Sequence, residues 1–222
     1  SDILAFHNKR LVEVWKKAGV LPKGYRSLLI PIATDKTSNP KKKPKTLSLV
    51  FLGVLKRSQG LDFVLDSADE LYKNFPKLVV NVVGPGPDTN YFKKRARKTK
   101  LKFKFHGYLS EKDVDKVISS SAIGVAPYVP DPTTVSYFGD PGKIKRYISK
   151  GLPVIATNIH EFSSALEREN AGALVQYGNV GQLVEAVRKI KGNYVKMSKS
   201  AAKLSKKYYY KGVYPKMLEF DD

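Results

Sequence analysis

From residue 47 onward, short apolar runs alternate with segments whose apolar residues recur at helical spacing, and that alternation confines the chain to one class of fold. The strand-like runs are residues 47–54, 78–83, 101–106, 123–126, 152–157 and 173–176. Between the first two, Leu61, Val64, Leu65, Ala68, Leu71 and Tyr72 form a helical stripe. Ser110-Glu-Lys-Asp113 reads as a variant capping box that opens another helix. Strands that are each followed by a helix predict a parallel, doubly wound α/β sheet with right-handed crossovers. Ligands of such sheets bind beyond the carboxyl ends of the strands, where Gly53, Gly84, Gly107, Pro127 and Asp140 are expected to converge.

The most informative segment is residues 137–157, which reads as a loop, a capped helix and a buried strand in succession. Asp140 is a good N-cap, because its carboxylate can accept from free N–H groups of the first turn, and Pro141 suits the first helical position. Ile144, Tyr147 and Ile148 then fall on one inward face, with Lys143, Lys145, Arg146 and Lys150 on the others. Gly151 ends the helix before the strand at 152–157. A helix start beside strand ends offers N–H donors and a positive dipole to a phosphate, and Lys143 adds a full charge there.

The pattern P-x-K-x-x-x-Y-x-x-x-G-x-P-V-I-x-T over residues 141–157 is similar to the signature of family 4 glycosyltransferases of the GT-B fold. Residues 51–62 resemble that family's first donor-half strand and glycine-rich turn. Residues 82–87, 105–109 and 121–127 resemble the segments that follow, in order and at the family's spacing. The resemblance covers roughly residues 47–190 and implies a Rossmann-like half of a GT-B glycosyltransferase, which holds the nucleoside diphosphate sugar. It departs from the family at two places. Many relatives carry two glutamates separated by seven residues, the second contacting the ribose, where this chain has Phe138 and Arg146. An arginine and a lysine that reach the diphosphate in relatives are here Val54 and Gln59, with Lys56 and Arg57 between them as substitutes.

The resemblance implies a division of labour at the site. Lys143, Gly142, Asp140 and Gly53, helped by Lys56 and Arg57, would hold the diphosphate. Gly84, Gly107, Tyr108, Leu109 and Arg146 would face base and ribose, and Tyr128, Phe138 and Gly139 the sugar. No general base stands out, and none is required if the departing phosphate assists a retaining transfer. Lysines and helix-start N–H groups can stabilise that phosphate without a metal.

Outside the core alternation the chain changes character. Residues 4–18 read as a helix and 27–32 as a short strand, followed by polar linker composition at 34–46 with Asn39-Pro40, Lys41-Lys42-Lys43 and Pro44. The expected organisation is residues 1–46 as the end of an upstream half with hinge and linker, 47–193 as the nucleotide-sugar domain, and 194–222 as C-terminal helices. The tail, helical over 194–218 with Tyr208, Tyr209, Tyr210 and Tyr214, either packs on the sheet or returns toward the upstream half.

Composition bounds the rest. At 222 residues, with 42% hydrophobic and 27% charged residues, the chain can form a packed domain and is not a disordered one. No apolar run approaches the ~18 residues of a membrane span and no secretory pattern opens the chain. The resemblance implies a cytoplasmic location, because nucleotide sugars are cytoplasmic where such transferases are commonest, with a membrane periphery as an option. The absence of cysteine excludes disulfides, and the three histidines lack metal-ligand spacing. The net charge of +20 either keeps solvated helix faces soluble or attracts an anionic membrane surface, the nucleotide, or, as the weakest option, nucleic acid, because the cations read as dispersed.

The expected activity is thus sugar transfer from a nucleotide sugar to an acceptor held by an upstream half, with little transfer by the present chain alone. A non-catalytic scaffold derived from such an enzyme is the alternative. A dinucleotide oxidoreductase is disfavoured, because the first turn lacks G-x-G-x-x-G and no acidic residue closes the second strand.

Overall fold

The computed structural model describes residues 3–34, 37, 39–42 and 44–215. The chain opens with a small parallel unit in which β1 (Ile3–Phe6) pairs in register with β2 (Arg26–Leu29) across α1 (Lys9–Lys17). The single helix expected over residues 4–18 is therefore corrected to a strand followed by a helix. Asn8 makes the division: it is extended, and its side-chain oxygen accepts from the Leu11 N–H at 3.0 Å. That cap frees Leu4 and Phe6 to alternate as strand residues. The linker expected at 34–46 lies partly outside the described residues.

The six runs read as strands all form one parallel sheet. β3 (Ser48–Leu52), β4 (Val79–Val83) and β5 (Lys102–Gly107) step outward one way; β6 (Ile123–Ala126), β7 (Val154–Thr157) and β8 (Gly172–Val175) step outward the other, giving the order β5-β4-β3-β6-β7-β8. The chain reverses its direction of travel between β3 and β6, which makes their carboxyl ends the topological switch point.

Helices cover both faces. On one side lie α2 (Leu61–Asp66), α3 (Ala68–Asn74), α4 (Thr89–Ala96) and α9 (Val180–Gly192), whose buried residues pack on Leu49, Phe51, Val80 and Val82. The stripe expected over 61–72 is divided at Ser67, whose hydroxyl bonds back to the Phe63 carbonyl at 2.8 Å. The other face carries α5 (Glu111–Ser120), α7 (Gly142–Ser149), α8 (Ser163–Arg168) and α10 (Tyr194–Lys206), packed on Val50, Val83, Ala126 and Val154, and a single turn, α6 (Val135–Phe138), precedes α7. Ser110 caps α5 through the Asp113 N–H at 3.2 Å. In place of the reciprocal backbone bond of a full capping box, Asp113 accepts the Ser110 hydroxyl at 2.7 Å.

The tail is helical in two pieces, α10 and the single turn α11 (Tyr210–Val213), and residues 216–218 of the predicted helix lie outside the described residues. It returns to the start of the linker: the Thr34 N–H donates to the Tyr208 carbonyl at 2.7 Å, and Tyr210 N–H to Thr34 at 3.0 Å. No helix among the described residues is long and apolar enough to cross a membrane.

Beyond the last ladder pairs, Gly53 N–H donates to Val83 O at 3.0 Å and Gly84 N–H to Gly107 O at 2.9 Å. The ends of β3, β4 and β5 are thereby drawn together on three glycines. Gly84 adopts φ +124, and a Cβ on it would lie 2.1 Å from the Gly53 carbonyl oxygen. Gly84→Ala is therefore expected to destabilise the fold by about 2–4 kcal/mol, read as a lowered urea midpoint at unchanged m-value.

Candidate functional site

At the switch point, α7 is fixed to the sheet by Tyr147, which is fully buried. Its hydroxyl accepts from the Leu52 N–H at 2.7 Å and faces the Val125 carbonyl at 3.4 Å, so one side chain joins the ends of β3 and β6. The opposing strand must be glycine there, because a Cβ on Gly124 would meet the Tyr147 ring at 2.4 Å. Lys143 lies one turn earlier on the same helix face, toward the strand ends that Tyr147 bridges.

The Lys143 Nζ donates to Gln59 Oε1 at 2.9 Å and lies 4.7 Å from the Phe51 ring centroid and 4.4 Å from that of Tyr128. It also sits against Gly53, where an added Cβ would be 3.2 Å from it. The residue as a whole is partly exposed, yet its ammonium end is enclosed. Burial pulls its pKa down from 10.5 to about 7. No described carboxylate forms an ion pair with it. Two aromatic faces and one amide oxygen thus hold a cation that can meet an anion at the switch point.

Five other residues depart from their expected places. Asp140 does not cap its helix: Pro141 occupies the cap position, and the buried Asp140 carboxylate accepts from the Ile32 N–H at 2.6 Å and from Lys145 Nζ at 2.5 Å. The first-turn donors are partly used, since Gly142 N–H donates to Asp140 O at 2.8 Å and Ile144 N–H to Pro141 O at 3.0 Å. Lys56 is exposed, and Arg57 turns toward α4, its guanidinium 3.4 Å from Asp62 and over the Tyr91 ring at 5.2 Å. The residue from that turn that meets Lys143 is Gln59. Lys145 and Lys150, read as outward-facing, are buried: Lys145 against Asp140, Phe162 and Tyr208, and Lys150 against Asp115 at 2.6 Å.

The remaining candidates fall into separate neighbourhoods. Arg146 points to α5, where Glu111 at 2.6 Å and Asp115 at 3.0 Å hold it. Partial burial works against its charge, but these two carboxylates outweigh it and raise its pKa. With Gly142, Glu111, Lys112 and Ile32 it lines a cleft of about 590 Å³. Phe138 and Gly139 line a different cleft, of about 360 Å³, with Asn8, Arg10, His160 and Tyr208. A third cleft of about 410 Å³ lies between the β7 and β8 ends, near Gln176 and Gln182. Gly107 takes φ +66; Tyr108 is 83% exposed, and Leu109 packs on the core.

His160 and the first turn of α1 were not distinguished by sequence. His160 is buried, with Nε2 on the Ser136 carbonyl at 2.8 Å and its ring edge-on to Tyr128 at 4.5 Å; Nδ1 has no described partner. Burial holds its pKa below the usual value. Asn8 donates to Phe138 O at 2.9 Å, and Arg10 donates to Tyr137 O at 3.0 Å and Ile159 O at 2.7 Å, so the small N-terminal unit clamps the helical turn before α7 and the segment after β7. These are contacts between segments about 130 residues or more apart and leave no local pattern. Among the described residues no group of three or more His, Asp or Glu is arranged to hold a metal.

A model of the family described as Glycosyl transferases group 1 matches residues 46–193. No curated protein matches the chain. Similar solved structures include the pneumococcal O-GlcNAc transferase GtfA in complex with UDP and GlcNAc, with a TM-score of 0.78 at 15% identity over 97% of this chain and 44% of that one. Sucrose-phosphate synthase from Thermosynechococcus elongatus gives 0.76 at 15% identity, over 98% of this chain and 57% of that one. Anabaena HepE in complex with UDP-glucose gives 0.75 at 14% identity, over 99% and 63%. The chain thus spans less than two thirds of each. At such identity the likeness establishes the fold, the Rossmann-like α/β unit of GT-B glycosyltransferases.

Proposed function

Because the chain belongs to the group 1 glycosyl transferases, we propose that it is the part of such an enzyme that binds the nucleoside diphosphate sugar, and that an upstream half holds the acceptor. The observation that carries this reading is the enclosed Lys143 ammonium at the switch point, beside Gly53 and without a carboxylate partner. A diphosphate entering over the Gly53 turn supplies the missing counter-charge, and as it departs the same ammonium stabilises the charge that develops on it. This needs no protein nucleophile and no metal, in keeping with a retaining transfer in which the leaving phosphate assists attack. Base and ribose then lie toward Gly84 and residues 107–109, with the sugar toward Tyr128, Phe138 and Gly139.

The alternative, a scaffold that has lost its donor grip, draws support from Arg146, which two carboxylates hold at the position where relatives place a ribose-binding glutamate. A thermal-shift titration separates the two. UDP is the first ligand to test, since the GtfA and HepE structures contain UDP or UDP-glucose. The donor reading expects UDP or its sugars, rather than every nucleotide alike, to raise the melting temperature by about 5 °C or more near 100 times Kd. No shift with UDP, GDP, ADP or their sugars overturns it in favour of the scaffold.

A further inference from the structure

Part of the surplus positive charge is concentrated in one short run. Residues 93–104 contain eight cations in twelve positions and no acidic residue. Arg95 is engaged with Asp62 and Asp66. The other seven, Lys93, Lys94, Arg97, Lys98, Lys100, Lys102 and Lys104, are exposed, and none forms an ion pair with a described residue. They border one edge of the sheet from both of its faces. Phe92 and Ala96 bury the inner side of α4 and leave Lys93, Lys94, Arg97 and Lys98 around its outer side and end. β5 is the edge strand of the six-stranded sheet; Phe103 and Phe105 turn to the core, so Lys102 and Lys104 share the opposite face.

Protection of an open sheet edge explains lysines on β5 but not the five unpaired cations on and after α4. We propose that this strip is a docking surface for an anionic lipid bilayer, with α4 and the β5 edge lying against the headgroups. Six of the seven free cations are lysines, point charges suited to a diffuse negative field, whereas planar, bidentate recognition favours arginine. None of the seven lines any of the three clefts, so the surface has no groove to enclose a small anion or guide a single strand. Within the strip the aromatic rings are committed, Tyr91 through its bond to Asp62 at 2.8 Å and the two phenylalanines by facing inward, while the exposed Tyr108 stands alone past the end of β5. One exposed ring past the strand end falls short of the series of aromatic rings on which successive bases of a nucleic acid stack. Docking there keeps the clefts and the strand ends open.

The test is co-sedimentation of the whole chain with vesicles of phosphatidylcholine, with and without about 30% phosphatidylglycerol, in roughly 0.1 M salt. The strip variant changes all seven cations to Gln. A control of equal net charge changes Lys189, Lys191, Lys196, Lys199, Lys203, Lys206 and Lys211 to Gln. Wild type is expected to bind the anionic vesicles and not the neutral ones. The strip variant should lose at least about tenfold in partitioning and the control less than about threefold. If the seven-residue variant melts early, Lys93, Lys94, Arg97 and Lys98 are changed as one set and Lys100, Lys102 and Lys104 as another, and each set is expected to show part of the loss. Equal loss in the control, no preference for anionic vesicles, or stronger strip-dependent binding to duplex DNA at the same salt would overturn the proposal.

Discussion

Lys143→Met is expected to raise the melting temperature of the unliganded chain while weakening its binding of UDP. The ammonium lies between the Phe51 and Tyr128 rings with only the neutral Gln59 oxygen as acceptor, so its charge is held at a cost to the fold. Methionine keeps the unbranched stem and removes the charge, a change expected to add about 1–2 kcal/mol of stability. Loss of a charged hydrogen bond to phosphate should cost about 1.5–3 kcal/mol of binding, roughly 10- to 150-fold in Kd. The sign of the pH effect follows from the shift. With a folded pKa of about 7 against 10.5 unfolded, the unfolded chain binds more protons between those values. The penalty is therefore full below about pH 7, and stability rises as pH climbs toward 10.5. That rise should be absent from the methionine variant. Phosphate raises the lysine pKa again, so UDP binding above pH 7 should take up protons and weaken with pH, as calorimetry in two buffers of different ionisation heat would read. Equal UDP affinity in wild type and variant would remove Lys143 from the site.

Lys143 was legible because its signal is local: a proline, a lysine two residues later and an apolar face at i, i+3 and i+4 fix its place on a helix ahead of a buried strand. The six strands were legible for the same reason, their boundaries shifting by no more than two residues. What stayed hidden depends on distant partners. Asp140 satisfies every local rule for a cap, yet the Ile32 N–H, 108 residues away, and the buried Lys145 compete for its carboxylate and win. A basic residue on a glycine-rich turn, such as Arg57, looks available to phosphate until Asp62 and Tyr91 are placed beside it. Gln59 was read only as the loss of a lysine, although its amide is what holds the remaining lysine in position. The N-terminal strand was lost for another reason: Leu4 falls at i, i+7 and i+8 with Leu11 and Val12 of the helix that follows, and the Asn8 cap that separates them is a single polar residue.

Asp140→Ala is expected to give the largest loss of stability among single side-chain changes at the site, about 3–5 kcal/mol, because it leaves the Lys145 ammonium buried without its counter-ion. Burial already pulls the Lys145 pKa down against the opposing pull of Asp140, so without the carboxylate the lysine should give up its proton or draw water into the core. Asp140→Asn separates two contributions: its oxygen still accepts from the Ile32 N–H but provides no charge for Lys145, and an intermediate loss is expected. A double change, Asp140→Leu with Lys145→Met, should recover much of the stability, since an apolar pair of similar volume replaces a desolvated ion pair. It should not recover the tie to Ile32, whose side chain lies beside Gly142 at the start of α7. That tie connects the N-terminal unit to the helix carrying Lys143. The double variant is therefore expected to melt near wild type and still bind UDP more weakly, a pattern that neither simple destabilisation nor a purely structural ion pair would produce. Urea unfolding and UDP titration on the same four proteins read both quantities, and wild-type UDP affinity in the double variant would reduce Asp140 to a stabilising residue.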